Sequence, residues 1–348
     1  MQENDKIKVG ISIGDLNGIG CEVVLKTFED GRMLDFCTPV IFASNKTISF
    51  HKNALNLEIN YHGIQEAKLA LGGKINVVNV WKEIPEITFG KSTKDAGKYA
   101  ILSLKAAVSA LKKNEVDVLV TAPINKDNIQ SEEFKFPGHT DYLASELEGE
   151  SLMFMVTDSL KVGLLTDHVA IKDVASAISP RLIRNKISII EKSLMMDFGI
   201  RKPRIALLGL NPHSGDNGVI GKEDDEVFKP VVREKTDIGH LVYGPYSADS
   251  FFGSQAYQNF DAVLAAYHDQ GLIPFKTLSF GNGVNFTAGL NKVRTSPDHG
   301  TAYEIAGKGI ADHGSFREAV FTALNIYKNR MEYLELTKDP LKKQRAKF

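Results

Sequence analysis

The feature that most constrains this chain is an alternation along its length. Short apolar, β-branched runs bounded by turn residues take turns with longer segments whose apolar residues recur every three or four positions. A strand that reads as a continuous apolar run needs cover on both faces, and a helix between two such strands supplies it, so the pattern calls for parallel strands with crossover helices. The fold class is α/β. The predicted strands are Lys8–Ile13, Pro39–Phe42, Asn76–Val80, Asp117–Thr121, Leu152–Thr157, Val162–Thr166, Arg204–Leu208 and Ala262–Ala266. Helices are predicted near 97–113, where Ile101, Leu104, Val108 and Leu111 share a face, and over 181–198, where Ile183, Ile187, Ile190 and Leu194 do so before Gly199 stops the helix. A last periodic stretch, Phe316–Tyr327, precedes the tail LKKQRAKF, read as a solvated, partly frayed terminus.

At 348 residues there is room for two domains and for a core that needs no disulfide or structural metal. No repeat or low-complexity linker separates two halves. A discontinuous arrangement is therefore expected, with 1–135 plus 300–348 in one α/β domain and 136–299 in the other. Charge excludes one broad class: 42 Lys and Arg against 43 Asp and Glu leave no basic field for nucleic acid, which points to small molecules or other subunits as partners. The N-terminus carries charges through Lys8 and then only a short apolar run, so it reads as neither signal peptide nor membrane span. Two cysteines, Cys21 and Cys37, form no C-x-x-C pair, and a cytoplasmic protein is expected.

Chemistry is expected in the loops that follow strands, where open α/β sheets place ligands. Of nine histidines, His139, His168, His213 and His268 each stand just after a strand or at a turn beside Gly, Pro, Asp or Asn. Three imidazoles on one divalent cation would leave positions open for a substrate, although the spacing is too long for a local metal motif and a hydrogen-bonded structural role competes for each. His51, His62 and His240 have no such setting and are read as structural. The loop Gly14-Asp15-Leu16-Asn17-Gly18-Ile19-Gly20 has neither the dinucleotide spacing nor a Walker lysine, and is read as a tight strand-to-helix turn. Lys276, Asn285 and Arg294 stand among glycines in Tyr267–Arg294 and suit a phosphate or carboxylate, which suggests an anionic substrate. The segment from Asp298 to Gly309 offers an extended loop with His299 and Gly300 that leads into a helix. No G-x-S-x-G or other nucleophile motif is present.

Taken together, GDLNGIG, TAPINK, PGHTDYLA, LGLNPHSGDNGVIGKED, GPYSAD, YHDQGLIPFK and GVNFTAGLNKVRTSPDHGTAYEIAGKGIAD, in this order and spacing, resemble the 4-hydroxythreonine-4-phosphate dehydrogenase family of pyridoxal phosphate biosynthesis. The resemblance implies the isocitrate and isopropylmalate dehydrogenase fold, two α/β/α domains with a cleft between them, and an NAD- or NADP-dependent enzyme. It implies metal ligands at His168, His213 and His268, contributed by both subunits of a homodimer whose interface and metal site lie in the second domain; ligand softness favours zinc or cobalt for such a set, and substrate oxygens completing the shell would also admit magnesium or manganese. It places substrate contacts at His139, Thr140, Lys276, Asn285 and Arg294, and the adenine side of the cofactor against His299, Gly300, Thr301 and Ala302. The implied reaction is oxidation of 4-phosphooxy-L-threonine at C3, then decarboxylation to 3-amino-2-oxopropyl phosphate. Asp249 of GPYSAD is a candidate for proton transfer, with a helix-capping role beside Ser247 as its competitor.

Two departures stand out: GDLNGIGCE where the family pattern is closer to GDPAGIGPE, and Asp141 where Glu is frequent. Both leave the implied site side chains in place and bear on substrate detail. The alternatives are a paralogue acting on threonate or erythronate 4-phosphate, a metal-dependent hydrolase, and a phosphate acyltransferase or binding module.

Overall fold

The computed structural model describes residues 6–279 and 281–339. The expected frayed tail, LKKQRAKF, lies outside the described residues. Twelve strands form one sheet: β1 (Lys8–Ser12), β2 (Thr38–Ala43), β3 (Tyr61–Ile64), β4 (Ile75–Asn79), β5 (Val118–Thr121), β6 (Gly149–Val156), β7 (Lys161–Leu164), β8 (Ile205–Leu208), β9 (Val242–Tyr246), β10 (Ala262–Ala265), β11 (Val284–Leu290) and β12 (Val293–Pro297). Their spatial order is β3-β4-β2-β1-β5-β12-β11-β6-β7-β10-β8-β9.

Each predicted strand is present, and the helices run Lys94–Lys112, Pro180–Met196 and Gly314–Thr337. Local chemistry sets their ends. Thr93 and Ser179 accept hydrogen bonds from the backbone N–H of Ala96 and Leu182, Pro180 occupies the first turn, and Gly199 takes a left-handed φ of 68° beyond the second helix. Ile183, Ile187, Ile190 and Leu194 are each fully buried, on the order of 2 kcal/mol of transfer free energy apiece as an upper figure.

The sheet departs from the all-parallel expectation at its middle. β5 pairs in parallel with both β1 and β12, and β7, β10, β8 and β9 run parallel to one another, but β12·β11, β11·β6 and β6·β7 are antiparallel. Two doubly covered parallel blocks are thus joined through an antiparallel seam. β12 pairs with β5 on one side and with β11 on the other, so Val293–Pro297 lies where the two blocks meet. No helix among the described residues is long and apolar enough to cross a membrane.

Candidate active site

Three neighbouring parallel strands, β7, β10 and β8, each deliver a histidine a few residues beyond their carboxyl ends: His168, His268 and His213. Their roots are tied together. Thr166 donates from Oγ1 to the carbonyl of Ala266 at 2.9 Å, and Gln270 accepts from the Ala266 N–H at 2.7 Å while donating to the carbonyl of Gly209 at 2.7 Å.

A cleft of about 260 Å³ opens at this edge, where β12 and the antiparallel β11 bring their own residues. It is lined by all five residues expected to touch substrate, His139, Thr140, Lys276, Asn285 and Arg294, and by His168, His268, His299 and Gly300. The structure brings these together. His213 and Asp249 do not line the cleft of their own chain. They are neighbours of each other elsewhere: the Ser247 hydroxyl donates to Asp249 Oδ1 at 2.5 Å, and this bond, with the Ser250 N–H and the nearby His213, holds the carboxyl below its usual range. Thr301 and Ala302 also fall outside the lining; the carbonyl of Thr301 accepts from the Ile19 N–H at 3.0 Å.

The charge pattern of the cleft is set by Arg294. Its side chain is 1% exposed, and its guanidinium donates only to hydroxyls: to Thr121 Oγ1 at 3.1 and 2.6 Å, and to Thr287 Oγ1 at 3.1 Å. No carboxylate lies within 4.0 Å of it among the described residues. Burial pushes its pKa down to about 9, so it stays charged at neutral pH. A buried cation without a counter-ion costs several kcal/mol, which an incoming anion repays.

Around it stand polar atoms out of reach of solvent and without hydrogen-bond partners: His139 Nε2, His299 Nε2 and Asn285 Oδ1. His139 opens the helix His139–Glu146, whose cap residue Gly138 has no side chain to bond the first-turn N–H groups, leaving them free for an anion. Burial, then the charges of Arg294 and Lys126, hold the His139 imidazole well below its usual pKa, hence neutral. Lys276 donates to the carbonyl of Asp298 at 3.2 Å.

The donor chemistry fits a divalent cation in part. The His168 and His268 rings lie 6.1 Å apart in the cleft, and Asp269 Oδ1 holds His268 Nδ1 at 2.7 Å, leaving Nε2 as the free ligand atom in the carboxylate–histidine arrangement of metal sites. His168 Nε2 faces Lys126 Nζ at 3.4 Å. No group of three His, Cys, Asp or Glu suited to a metal occurs within the single chain among the described residues, since His213 is elsewhere. His213 belongs to a run of six consecutive residues, 213–218, all with positive φ. Left-handed backbone costs roughly 1–2 kcal/mol for each non-glycine residue, and His213, Ser214, Asp216 and Asn217 are four such residues.

Sequence reading missed Lys126, Thr121 and Asp298, which also line the cleft; TAPINK carries no local signal beyond its place after a strand. The GDLNGIG loop is the tight turn expected: a Cβ on Gly14 would meet the Pro123 carbonyl at 2.2 Å. The N–H groups of Asp15, Asn17, Gly18 and Ile19 are all engaged within the protein, leaving none of them for a phosphate. Its Asp15 carboxylate accepts from the Tyr303 hydroxyl at 2.8 Å, so the turn braces the loop after His299. Of the histidines read as structural, His51 is buried and His240 pairs with Glu191.

Fold and cleft define the class: a mixed α/β enzyme that gathers its site at the carboxyl ends of sheet strands around a buried, uncompensated cation. Residues 35–323 match the family described as pyridoxal phosphate biosynthetic protein PdxA. The 4-hydroxythreonine-4-phosphate dehydrogenase of Bacteroides thetaiotaomicron is 46% identical over 346 residues, 99% of this chain and 95% of that one. A D-threonate 4-phosphate dehydrogenase from Cupriavidus necator is 37% identical, covering 90% of this chain and 95% of that one. The crystal structure of 4-hydroxythreonine-4-phosphate dehydrogenase from Klebsiella pneumoniae superimposes with a TM-score of 0.79 at 30% identity, over 92% of this chain and 98% of that one. The chain belongs to the PdxA family of pyridoxal phosphate biosynthesis and is an oxidoreductase.

Proposed function

We propose that this protein oxidises 4-phosphooxy-L-threonine at C3 with NAD or NADP and releases 3-amino-2-oxopropyl phosphate. The observation that carries the reading is Arg294, a buried guanidinium with no carboxylate partner, set among unpartnered polar atoms of His139 and Asn285. A small dianionic group completes that set. Lys276, Thr140 and the N–H groups that open the helix at His139 hold the remaining oxygens, fixing C3 relative to the nicotinamide, an orientation effect worth several kcal/mol. The loop of His299, Gly300, Thr301 and Ala302, braced by the GDLNGIG turn, takes the adenine side of the cofactor.

The working enzyme is a homodimer in this reading. His168 and His268 of one chain and His213 of a second copy would hold one divalent cation: zinc or cobalt by imidazole preference, or magnesium with substrate oxygens completing the shell. When bound, the cation supplies Lewis acidity toward the substrate's oxygen atoms. Asp249, which keeps company with His213, would reach the cleft from the same second copy and accept the hydroxyl proton, and a nicotinamide held by the loop after His299 would supply the acceptor for the C3 hydride. The 3-oxo acid loses its C1 carboxylate as carbon dioxide, and C2 takes up a proton. The domain division in this reading is 1–135 with 300–348 against 136–299.

A second reading keeps the chemistry and changes the substrate to threonate 4-phosphate; the relative from Cupriavidus necator favours it. The experiment is direct. Purified protein with metal and NAD or NADP is offered each phosphate while reduced cofactor is followed by absorbance. Turnover of the amino-acid phosphate is the expected result; turnover of the sugar-acid phosphate alone selects the second reading, and turnover without nicotinamide discards both.

A further inference from the structure

We propose that Asp224 is a positioning residue for His213: its carboxylate pins the root of the left-handed run 213–218 and so fixes where the imidazole is presented. The inference rests on the reading of His213 as a metal ligand.

Asp224 is fully buried. Its carboxylate accepts the backbone N–H of Leu210 at 2.8 Å, the backbone N–H of Asn211 at 3.0 Å and the Asn211 side-chain amide at 3.0 Å. Glu223 takes the same amide at 2.9 Å. These are the residues at the exit from β8, two and three positions before His213. The fit leaves no slack: a Cβ on Gly209 would meet Asp224 Oδ1 at 2.7 Å, and one on Gly215 would meet the Gly221 carbonyl at 2.5 Å. On the other side, the Ser214 hydroxyl donates to the Pro245 carbonyl at 3.2 Å.

The geometry explains why a carboxylate is needed there. A run of left-handed residues turns away from the direction the strand would take, so its internal bonds alone do not hold it. Those bonds are short-range turns only: Ser214 N–H to the Asn211 carbonyl at 3.0 Å, Asp216 N–H to His213 at 3.2 Å, Gly218 N–H to Gly215 at 3.0 Å, Val219 N–H to Asp216 at 3.3 Å and Ile220 N–H to Gly215 at 3.1 Å. Strained backbone persists where surrounding contacts over-determine it, and such strain gathers at functional sites. Asp224 also begins the π-helical turn Asp224–Phe228, a form enriched at such sites. Gln270 couples this root to the turn of His268 through Gly209, so a shift at Leu210 would displace His213 relative to the other two loops.

The test uses the full-length protein and Co²⁺ alone, followed by its visible absorbance and by calorimetry, beside inorganic phosphate as a probe of the Arg294 subsite. Asp224→Asn keeps the shape and exchanges an acceptor for an amide donor that faces N–H groups. Expected is a 10- to 100-fold loss of Co²⁺ affinity, the range for supporting residues of metal ligands, with phosphate affinity within about twofold of the parent. Asn211→Ala, at the rim of the network, is expected to lose Co²⁺ affinity less steeply, and it carries the test if Asp224→Asn does not fold. If His213→Ala loses Co²⁺ binding while Asp224→Asn, or Asn211→Ala in its place, binds within twofold of the parent, the positioning role is wrong. If the parent binds Co²⁺ no better than His213→Ala does, the ligand reading beneath it is wrong instead.

Discussion

Replacing Arg294 by Met separates a binding role from a structural one. The guanidinium is fully desolvated, makes three hydrogen bonds to two threonine hydroxyls, and meets no carboxylate. In the unliganded protein, Met forfeits those bonds at roughly 1 kcal/mol net each. It also removes an unpaired buried charge that costs several kcal/mol, and its thioether fills much of the same volume. The two terms oppose, and the second is the larger, so unfolding free energy without ligand is predicted to stay level or rise. With substrate the sign reverses. Removing one partner of a buried charge pair costs about 2–5 kcal/mol, which at 1.36 kcal/mol per decade is a fall of about 30-fold to several-thousand-fold in kcat/KM. Urea melts and initial rates on the same preparations check both halves. A loss of more than about 3 kcal/mol in unliganded stability, the full worth of the three bonds, with kcat/KM reduced less than tenfold would show that Arg294 serves the sheet rather than the ligand.

Two further predictions concern groups away from the cleft. His51 is buried with both ring nitrogens unpartnered, and burial pushes its pKa down to about 4 from an ordinary 6.5. The unfolded chain therefore binds the proton first, and stability falls as pH drops from about 6.5 through about 4. The parent is expected to lose about 2–3 kcal/mol more than His51→Leu between pH 7.5 and 4.5 in denaturant melts, and parallel curves would contradict this. Arg330, 5% exposed, donates to Asp197 Oδ1 at 2.8 Å and to the Leu290 carbonyl at 3.2 Å. Arg330→Ala leaves the buried Asp197 carboxylate without its cation, and a loss of about 3–5 kcal/mol in the same melts is expected; a change under 1 kcal/mol would mean that the pair is hydrated.

The strands that the sequence made legible are those covered on both faces, such as Thr38–Ala43, buried at each position. The strands it hid are of two kinds. Tyr61–Ile64 lies at a sheet edge with its middle residues exposed, and Val242–Tyr246 is the opposite edge, with Gly244 and Pro245 breaking its pattern. Val284–Leu290 and Val293–Pro297 lie in the middle of the sheet but carry Asn285, Thr287, Arg294, Thr295 and Ser296. Hydrophobic periodicity fails there because the cleft residues Asn285, Arg294 and Ser296, and the buried hydrogen-bonded Thr287 and Thr295, replace apolar core residues. The substrate candidates were legible as residue types in glycine-rich segments. The separation of His213 from His168 and His268 was not, because a left-handed run within a loop leaves only glycines and an Asp-Asn pair as its trace, and those also mark ordinary turns.

The most direct measurement concerns the proposed sharing of ligands between two copies. Protein bearing His213→Ala and protein bearing His168→Ala are each expected to be inactive. Unfolded together, refolded as a mixture and assayed with 4-phosphooxy-L-threonine and NAD or NADP, they should form heterodimers in which one of two sites holds all three histidines, so that random pairing restores about a quarter of parental activity. Recovery near that level is the predicted result. No recovery, with heterodimers shown to be present, would contradict a site built from two subunits.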